Sequence, residues 1–288
     1  MPNGILIIDK PAGWTSMDVC AKIRGMLHEK RVGHGGTLDP MATGVLPVFV
    51  GQATRGVEFA ENGRKEYVAG LRLGQVTTTQ DTSGEMLETH PVNVTRADVE
   101  ATLERFRGDI QQIPPMYSAI KINGQKLYDL ARKGKEVERK PRSITIYELE
   151  LVEQVSNTDF VIRCLCSKGT YIRTLCHDIG QALGCGGTLY SLRRTMAADY
   201  TLEQAVSLED VQQQGESLLL PVESLFTAYP AYSIPSVGKE TRVRNGGSIT
   251  DEQLADGTYR IYGRNGDFLC LSRADGGTLT SIKNFFGA

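Results

Sequence analysis

Residues Arg31 to Pro47 read R-V-G-H-G-G-T-L-D-P-M-A-T-G-V-L-P, with four glycines and two prolines around one histidine and one carboxylate. Glycine opens backbone conformations closed to other residues, and Pro40 pushes Asp39 out of the helical region. The segment predicts a shaped loop, without helix or strand, that holds Asp39 in a fixed pose. Such a loop has two uses. It can be a tight connection in which Asp39 accepts a backbone hydrogen bond, or it can present Asp39 and His34 to a ligand.

The flanking sequence builds a frame for it. Ile5 to Ile8 reads as a buried strand, and a T-x-x-D capping box at Thr15 and Asp18 opens a helix with Val19, Ile23, Met26 and Leu27 on one face. Val45 to Val50 reads as a strand in which Pro47 signals an edge or an irregularity. Lys65 to Gly74 alternates cleanly, with Tyr67, Ala69, Leu71 and Leu73 on one face, and Tyr67 is most simply a core aromatic. Gly74 to Gly84, G-x-x-T-x-T-x-D-x-x-G, is a polar turn whose Asp81 either ties the loop or touches a ligand. A second capping box, Thr95 with Asp98, starts a helix that Gly108 stops. Strands follow at Ile144 to Val155 and Phe160 to Cys166, then a helix from near Thr170 to Gly184, then a strand from Leu189 to Arg194. Arg173 falls in the first turn of that helix, where a cation opposes the helix dipole, so a carboxylate partner explains it better. From Tyr229 short strands are expected at Arg242 to Asn245, Tyr259 to Tyr262, Phe268 to Ser272 and Leu279 to Lys283. This divides the chain into residues 1–228 and a small β module at 229–288.

Composition narrows the function. Charged residues at 23% and hydrophobic residues at 40% argue against disorder. The longest apolar runs are too short to cross a bilayer, and the N-terminus has no signal-peptide pattern, so a cytoplasmic protein without a membrane partner is expected. Six cysteines are scattered without a C-x-x-C. A zinc site from Cys164, Cys166, Cys176 and His177 matches no structural zinc spacing, so buried free thiols and no metal are expected. The formal net charge of -2 carries no nucleic-acid signal, but Arg132 to Arg142 holds six bases against two acids. Just before it, Asn123-Gly124 marks a turn, and Tyr117 and Tyr128 lie among Lys121, Lys126, Arg132 and Lys133. Rings that stack on bases and cations that neutralise phosphates suit RNA, so residues 113–142 read as an RNA-gripping insertion.

Taken together, G-H-G-G-T-L-D-P-M-A-T-G-V-L-P, K-E-Y, G-x-x-T-x-T-x-D-x-x-G, P-P-M-Y-S-A-I-K and S-K-G-T-Y-I-R-T-L resemble the bacterial tRNA pseudouridine-55 synthases. The resemblance runs in order from about Gly4 to Arg194 and continues more weakly beyond. It implies an α+β fold with a mixed, mainly antiparallel sheet flanked by helices around a central cleft, and a small C-terminal PUA-like β-barrel. It makes Asp39 the catalytic residue, His34 the histidine of G-H-G-G, Tyr67 the substrate-stacking tyrosine, and Tyr171, Arg173 and Leu192 their partners. Lys10, Tyr117, Lys121, Arg132 and Lys133 complete the candidates for RNA contact.

The implied reaction isomerises uridine 55 in the T-arm loop of tRNA. It breaks N1–C1′ and joins C5 to C1′ with no redox change, so no cofactor is expected, and the chain carries no Rossmann or P-loop glycine pattern. A monomer with no obligatory protein partner is expected. Two other readings stand beside it. One is an RNA chaperone or tRNA-folding factor acting by binding alone. The other is an N-glycoside hydrolase pairing Asp39 with Asp81 or Asp9, which commonly requires two close carboxylates.

Overall fold

The computed structural model describes residues 2–285 except 119 and 123, with the backbone alone for Lys121 and Lys126. The first apolar run is strand β1 (Gly4–Lys10). The Thr15–Asp18 capping box is reciprocal and opens helix α1 (Ser16–Leu27), which buries Val19, Ile23 and Leu27. The stretch expected to hold no regular structure contains a strand, β2 (Val32–His34), and yields directly to β3 (Thr43–Val50). A three-residue strand has no readable local period. It exists because Val32 pairs with Val50 and His34 with Val48. The irregular loop is residues 35–42.

Helix α2 (Val57–Asn62) leads into β4 (Lys65–Leu73), whose Tyr67, Ala69, Leu71 and Leu73 are buried as the alternation requires. Strands β5 (Gln75–Thr77) and β6 (Met86–Thr89) form a hairpin around Asp81. Helix α3 (Arg96–Glu104) starts at the Thr95–Asp98 box and is followed by β7 (Gly108–Gln112). A two-residue hairpin, β8 (Lys121–Ile122) with β9 (Gln125–Lys126), precedes α4 (Leu127–Ala131). The Asn123-Gly124 turn expected there falls partly outside the described residues. Strands β10 (Arg142–Gln154) and β11 (Asp159–Cys166), helix α5 (Ile172–Ala182), strand β12 (Gly187–Ala197), strand β13 (Tyr200–Thr201) and helix α6 (Leu208–Gln214) complete the larger unit.

Its nine-stranded sheet runs β1-β3-β12-β4-β11-β10-β7, with β2 added to β3 and β13 to β12. Every pairing is antiparallel except β3 with β12, which meet only at Thr43 with Arg193 and Gly44 with Arg194. Pro47 lies where β3 has left β12 and has not yet met β2, which is the irregularity its sequence predicted. Helices α1, α3 and α5 bury Ile23, Leu103 and Leu175 with the inward residues of β4, β11 and β12 in one core. All six cysteines are buried and unbridged. Among the described residues no His, Cys, Asp and Glu cluster is arranged to hold a metal, and no helix is long and apolar enough to cross a membrane.

The tail forms a second sheet, β14-β16-β17-β18-β15, from β14 (Ala231–Ser233), β15 (Ile249–Thr250), β16 (Gly257–Tyr262), β17 (Phe268–Asp275) and β18 (Thr278–Asn284). Arg242 to Asn245 is a correction: it ends helix α7 (Val237–Arg244), which Ser236 caps by accepting from the Lys239 N–H.

Helix α5 crosses β12 at backbone contact. A Cβ on Gly180 would stand 2.1 Å from the Gly187 nitrogen. Alanine in a helix interior is ordinarily favoured over glycine by about 1 kcal/mol. Here Gly180→Ala is expected to destabilise by about 2 kcal/mol, because the helix must lift off the strand. Urea unfolding measures the sign directly, and a stabilised variant would contradict the contact.

Candidate active site

Every side of the 35–42 loop is tied to a regular element. Leu38 N–H donates to Ser16 Oγ at 2.9 Å, fixing the loop to the first residue of α1. The Lys10 ammonium donates to the carbonyls of Pro11, Trp14 and Pro40 at 2.9, 2.6 and 3.4 Å. Arg194 donates from Nε to Val45 O at 2.7 Å, and from its two terminal nitrogens to Gly36 O and Thr37 O at 3.1 and 3.4 Å. Gly44 admits this clamp: its φ is 101°, and a Cβ there would lie 2.2 Å from Arg194 O. Lys10 was expected to touch RNA. Instead it is fully buried, and its amine is spent on loop carbonyls.

What the loop leaves free is the Asp39 carboxylate. Arg173 Nε lies 2.9 Å from its Oδ2, the carboxylate partner that the helix-dipole argument required. The same guanidinium donates to Tyr117 O at 2.7 Å and Thr79 O at 3.1 Å, and stands 3.7 Å from Asp81 Oδ2. One buried arginine thus gathers the Asp39 loop, the Asp81 turn and the 113–142 segment. Asp81 ties its own turn, because its Oδ1 accepts from Thr79 Oγ1 and the Ser83 N–H at 2.7 and 3.0 Å.

Although Arg173 favours the ionised form, burial outweighs it and pushes the Asp39 carboxyl above the usual carboxylate range, with Asp81 adding to the rise. A reaction that needs ionised Asp39 will therefore lose rate on acidification from a higher pH than an exposed aspartate would impose. Asp81→Asn removes a neighbouring negative charge and is expected to move that acid limb to lower pH. Single-turnover rates against pH test both, and identical limbs in the two proteins would refute the electrostatic account.

Asp39 and Arg173 sit in a cleft of about 820 Å³, within the range of small-molecule sites. Tyr67, Tyr117, Tyr171, Leu192 and Arg132 line it, so it gathers most of the expected site residues. Tyr171 stands at the N-cap of α5, held by Gln112, which accepts from its N–H at 2.8 Å and donates to its carbonyl at 3.1 Å. His34 does not line the cleft. It ends β2 beside the loop, its Nδ1 buried with no hydrogen-bond partner among the described residues. Burial first and Arg194 second hold its pKa below the ordinary value, which favours the neutral ring. Lys133 is exposed and away from the cleft wall, whereas the side chain of Lys121 lies outside the described residues.

Three residues escaped the sequence reading: Gln112, Lys65 and Arg194. The last two had a signal. Both are cations written on the inward face of an alternating strand, Lys65 in line with Tyr67 and Arg194 in line with Leu192.

Residues 24–172 match the TruB family pseudouridylate synthase N-terminal domain, and residues 173–227 match the tRNA pseudouridylate synthase B C-terminal domain. The chain belongs to the TruB family. Among its relatives, tRNA pseudouridine synthase B of Francisella philomiragia is 44% identical over 98% of this chain and 95% of its own length. The protein of the same name from Clostridium kluyveri is 42% identical over 93% and 94%. Among solved structures, a chain of a Cbf5-Nop10-Gar1 complex superposes with a TM-score of 0.73 at 27% identity, covering 98% of this chain and 85% of that one. A chain of an H/ACA RNP bound to a substrate RNA containing 2'-deoxyuridine gives the same score at 25% identity and the same coverage. The TruB chain is thus an isomerase of α+β, mainly antiparallel architecture, as its motifs implied.

Proposed function

We propose that this TruB-family chain isomerises uridine 55 in the T-arm loop of tRNA, with Asp39 as the reacting carboxylate. The supporting observation is the Asp39–Arg173 pair at 2.9 Å in a cleft walled by Tyr67, Tyr171 and Leu192. The target nucleotide leaves its stack at a cost of a few kcal/mol, and His34, half-buried where β2 enters the 35–42 loop, fills the gap. Tyr67 stacks on the extruded uracil, while Tyr171 and Leu192 close around it and exclude water. Heterolysis of N1–C1′ leaves the bonding pair on uracil and C1′ electron-deficient, a charge that the ionised Asp39 carboxylate compensates until C5 bonds there. The ring turns, C5 bonds to C1′, and the C5 proton leaves as N1 gains one. Tyr117 and Arg132, on the 113–142 insertion, contact the RNA near the cleft, and Lys121 and Lys133 extend that contact along the insertion. Residues 229–288 act as a PUA-like domain gripping the tRNA beyond its T-arm, and the protein works as a cytoplasmic monomer.

The other aspartates are occupied, which disfavours a hydrolase. Asp9 is paired with Arg193 at 2.7 Å, and Asp81, which lines the cleft with Asp39, shares the same Arg173 and has its Oδ1 held by its own turn. Nucleoside analysis of unmodified tRNA after incubation with the protein separates the outcomes: pseudouridine without free uracil is expected, and free uracil would overturn the isomerase reading.

A further inference from the structure

Two neighbouring cations in the cleft wall are buried without a carboxylate of their own. Arg194, 1% exposed, hydrogen-bonds to the carbonyls of Val45, Gly36 and Thr37. Lys65, 6% exposed, donates to the carbonyls of Ala60, Glu61 and Gly63 at the end of α2. Among the described residues neither forms an ion pair, whereas Arg173 has Asp39 and Arg193 has Asp9. Glu61 lines the cleft with an exposed side chain, and against the lowering by burial the Cys166 thiol and the Glu61 carboxylate offset the Lys65 pKa shift only in part, without an ion pair. Arg194 lies opposite Tyr67 across the β12–β4 pairing, Lys65 is two residues from Tyr67 on the same strand face, and all three line the cleft. The mutual effect is visible in Lys65, whose pKa falls to about 8, through burial first and Arg194 second.

Burying an ion carries a large desolvation penalty, which carbonyl dipoles offset only in part. Two such ions side by side hold a positive potential that an anion would relieve. The proposed isomerisation makes one. When N1–C1′ breaks, its electron pair stays on uracil and spreads over N1, O2 and O4. The ring becomes neutral again once C5 has bonded to C1′, and exchange of the C5 proton for one at N1 then restores its conjugation. That transient charge lies where uracil stacks, beside Tyr67.

Resting on the uridine-isomerase reading, we propose that Arg194 and Lys65 form a preorganised positive wall that stabilises the uracil anion during glycosidic cleavage. Preorganised charge aimed at a developing anion strengthens only as the bond breaks, so it acts on the chemical step and not on tRNA binding. A phosphate ligand would do the reverse, since its charge is already present in the free RNA.

The test compares tRNA carrying uridine or 5-fluorouridine at the target position by single-turnover loss of the N1-linked target nucleoside, because fluorine at C5 leaves no proton to lose and blocks completion to pseudouridine. Filter binding at two salt concentrations and thermal melting accompany it. Arg194→Gln is expected to slow uridine conversion by about 100-fold with tRNA affinity within about threefold of wild type. With 5-fluorouridine, whose ring carries negative charge more readily, the deficit should shrink by about tenfold, because the ring needs less help. Arg194→Lys, which keeps the charge and loses the fork, should recover at least about tenfold of the lost rate. Equal deficits on both bases would overturn the proposal, as would a loss confined to affinity with a shallower salt dependence. If Arg194→Gln melts early, Lys65→Gln decides by the same comparison of bases. A wild-type protein that converts no uridine at all would instead overturn the isomerase reading on which this rests.

Discussion

Replacing Asp39 with asparagine is expected to abolish pseudouridine formation, with a loss of about 10⁴-fold or more, while tRNA affinity stays within a few-fold. Asparagine is nearly isosteric and still offers an oxygen to Arg173, so the loop tied by Ser16, Lys10 and Arg194 has no reason to move. What disappears is the negative charge beside the ribose. The contacts proposed to bind RNA lie on Tyr117, Arg132 and the tail, and none depends on that charge. Tritium release from tRNA containing 5-tritiated uridine reads the chemistry, and filter binding reads affinity. Retained turnover would remove Asp39 from its role. Complementation by the same variant separates the chaperone reading, because a function that needs only the RNA-binding surface survives loss of the carboxylate.

The second large effect is expected at Arg173. Its guanidinium serves Asp39, Tyr117 O, Thr79 O and Asp81 together, and it is almost fully enclosed. Arg173→Met leaves two carbonyls and two carboxylates short of a partner. Breaking a buried ion pair costs about 3–5 kcal/mol. Asp39 keeps 36% of its side chain accessible, so water can take over part of the arginine's work and the lower end of that range is expected. The rate should fall by about 10²–10³-fold, because both the direction and the ionisation of Asp39 rest on this contact. Denaturant unfolding and single-turnover kinetics report the two losses. If Arg173→Met lowers stability but leaves the rate unchanged, Arg173 is a structural tie only. A double-mutant cycle with Asp39→Asn should be strongly non-additive, since neither side chain retains its purpose without the other.

These expectations rest on features that were unequally legible in the sequence. Strand β4 and the two threonine capping boxes were readable because the information is local: alternation over nine residues, and a hydroxyl three positions from a carboxylate. The Asp39–Arg173 pair, 134 residues apart, was legible for another reason. A cation in the first turn of a helix is out of place unless something negative meets it. Strand β2 was not legible, since three residues carry no period and its pairing with β3 is a tertiary event. The Val243 region was misread as strand because a short alternation also fits one turn of helix, while the deciding signal, the Ser236 cap, lay seven residues earlier. Lys10 was not legible as a buried tie, because a lysine that ends a strand is ordinarily exposed. Only the folded chain puts three carbonyls around its amine.

The most direct measurement is the position of the product. The purified protein would be incubated with unmodified tRNA, and pseudouridine mapped along the whole molecule. One new pseudouridine is predicted, at uridine 55 in the T-arm loop, and none with Asp39→Asn. Pseudouridine elsewhere with the T-arm loop unchanged, or an identical map from the Asp39 variant, would contradict the account.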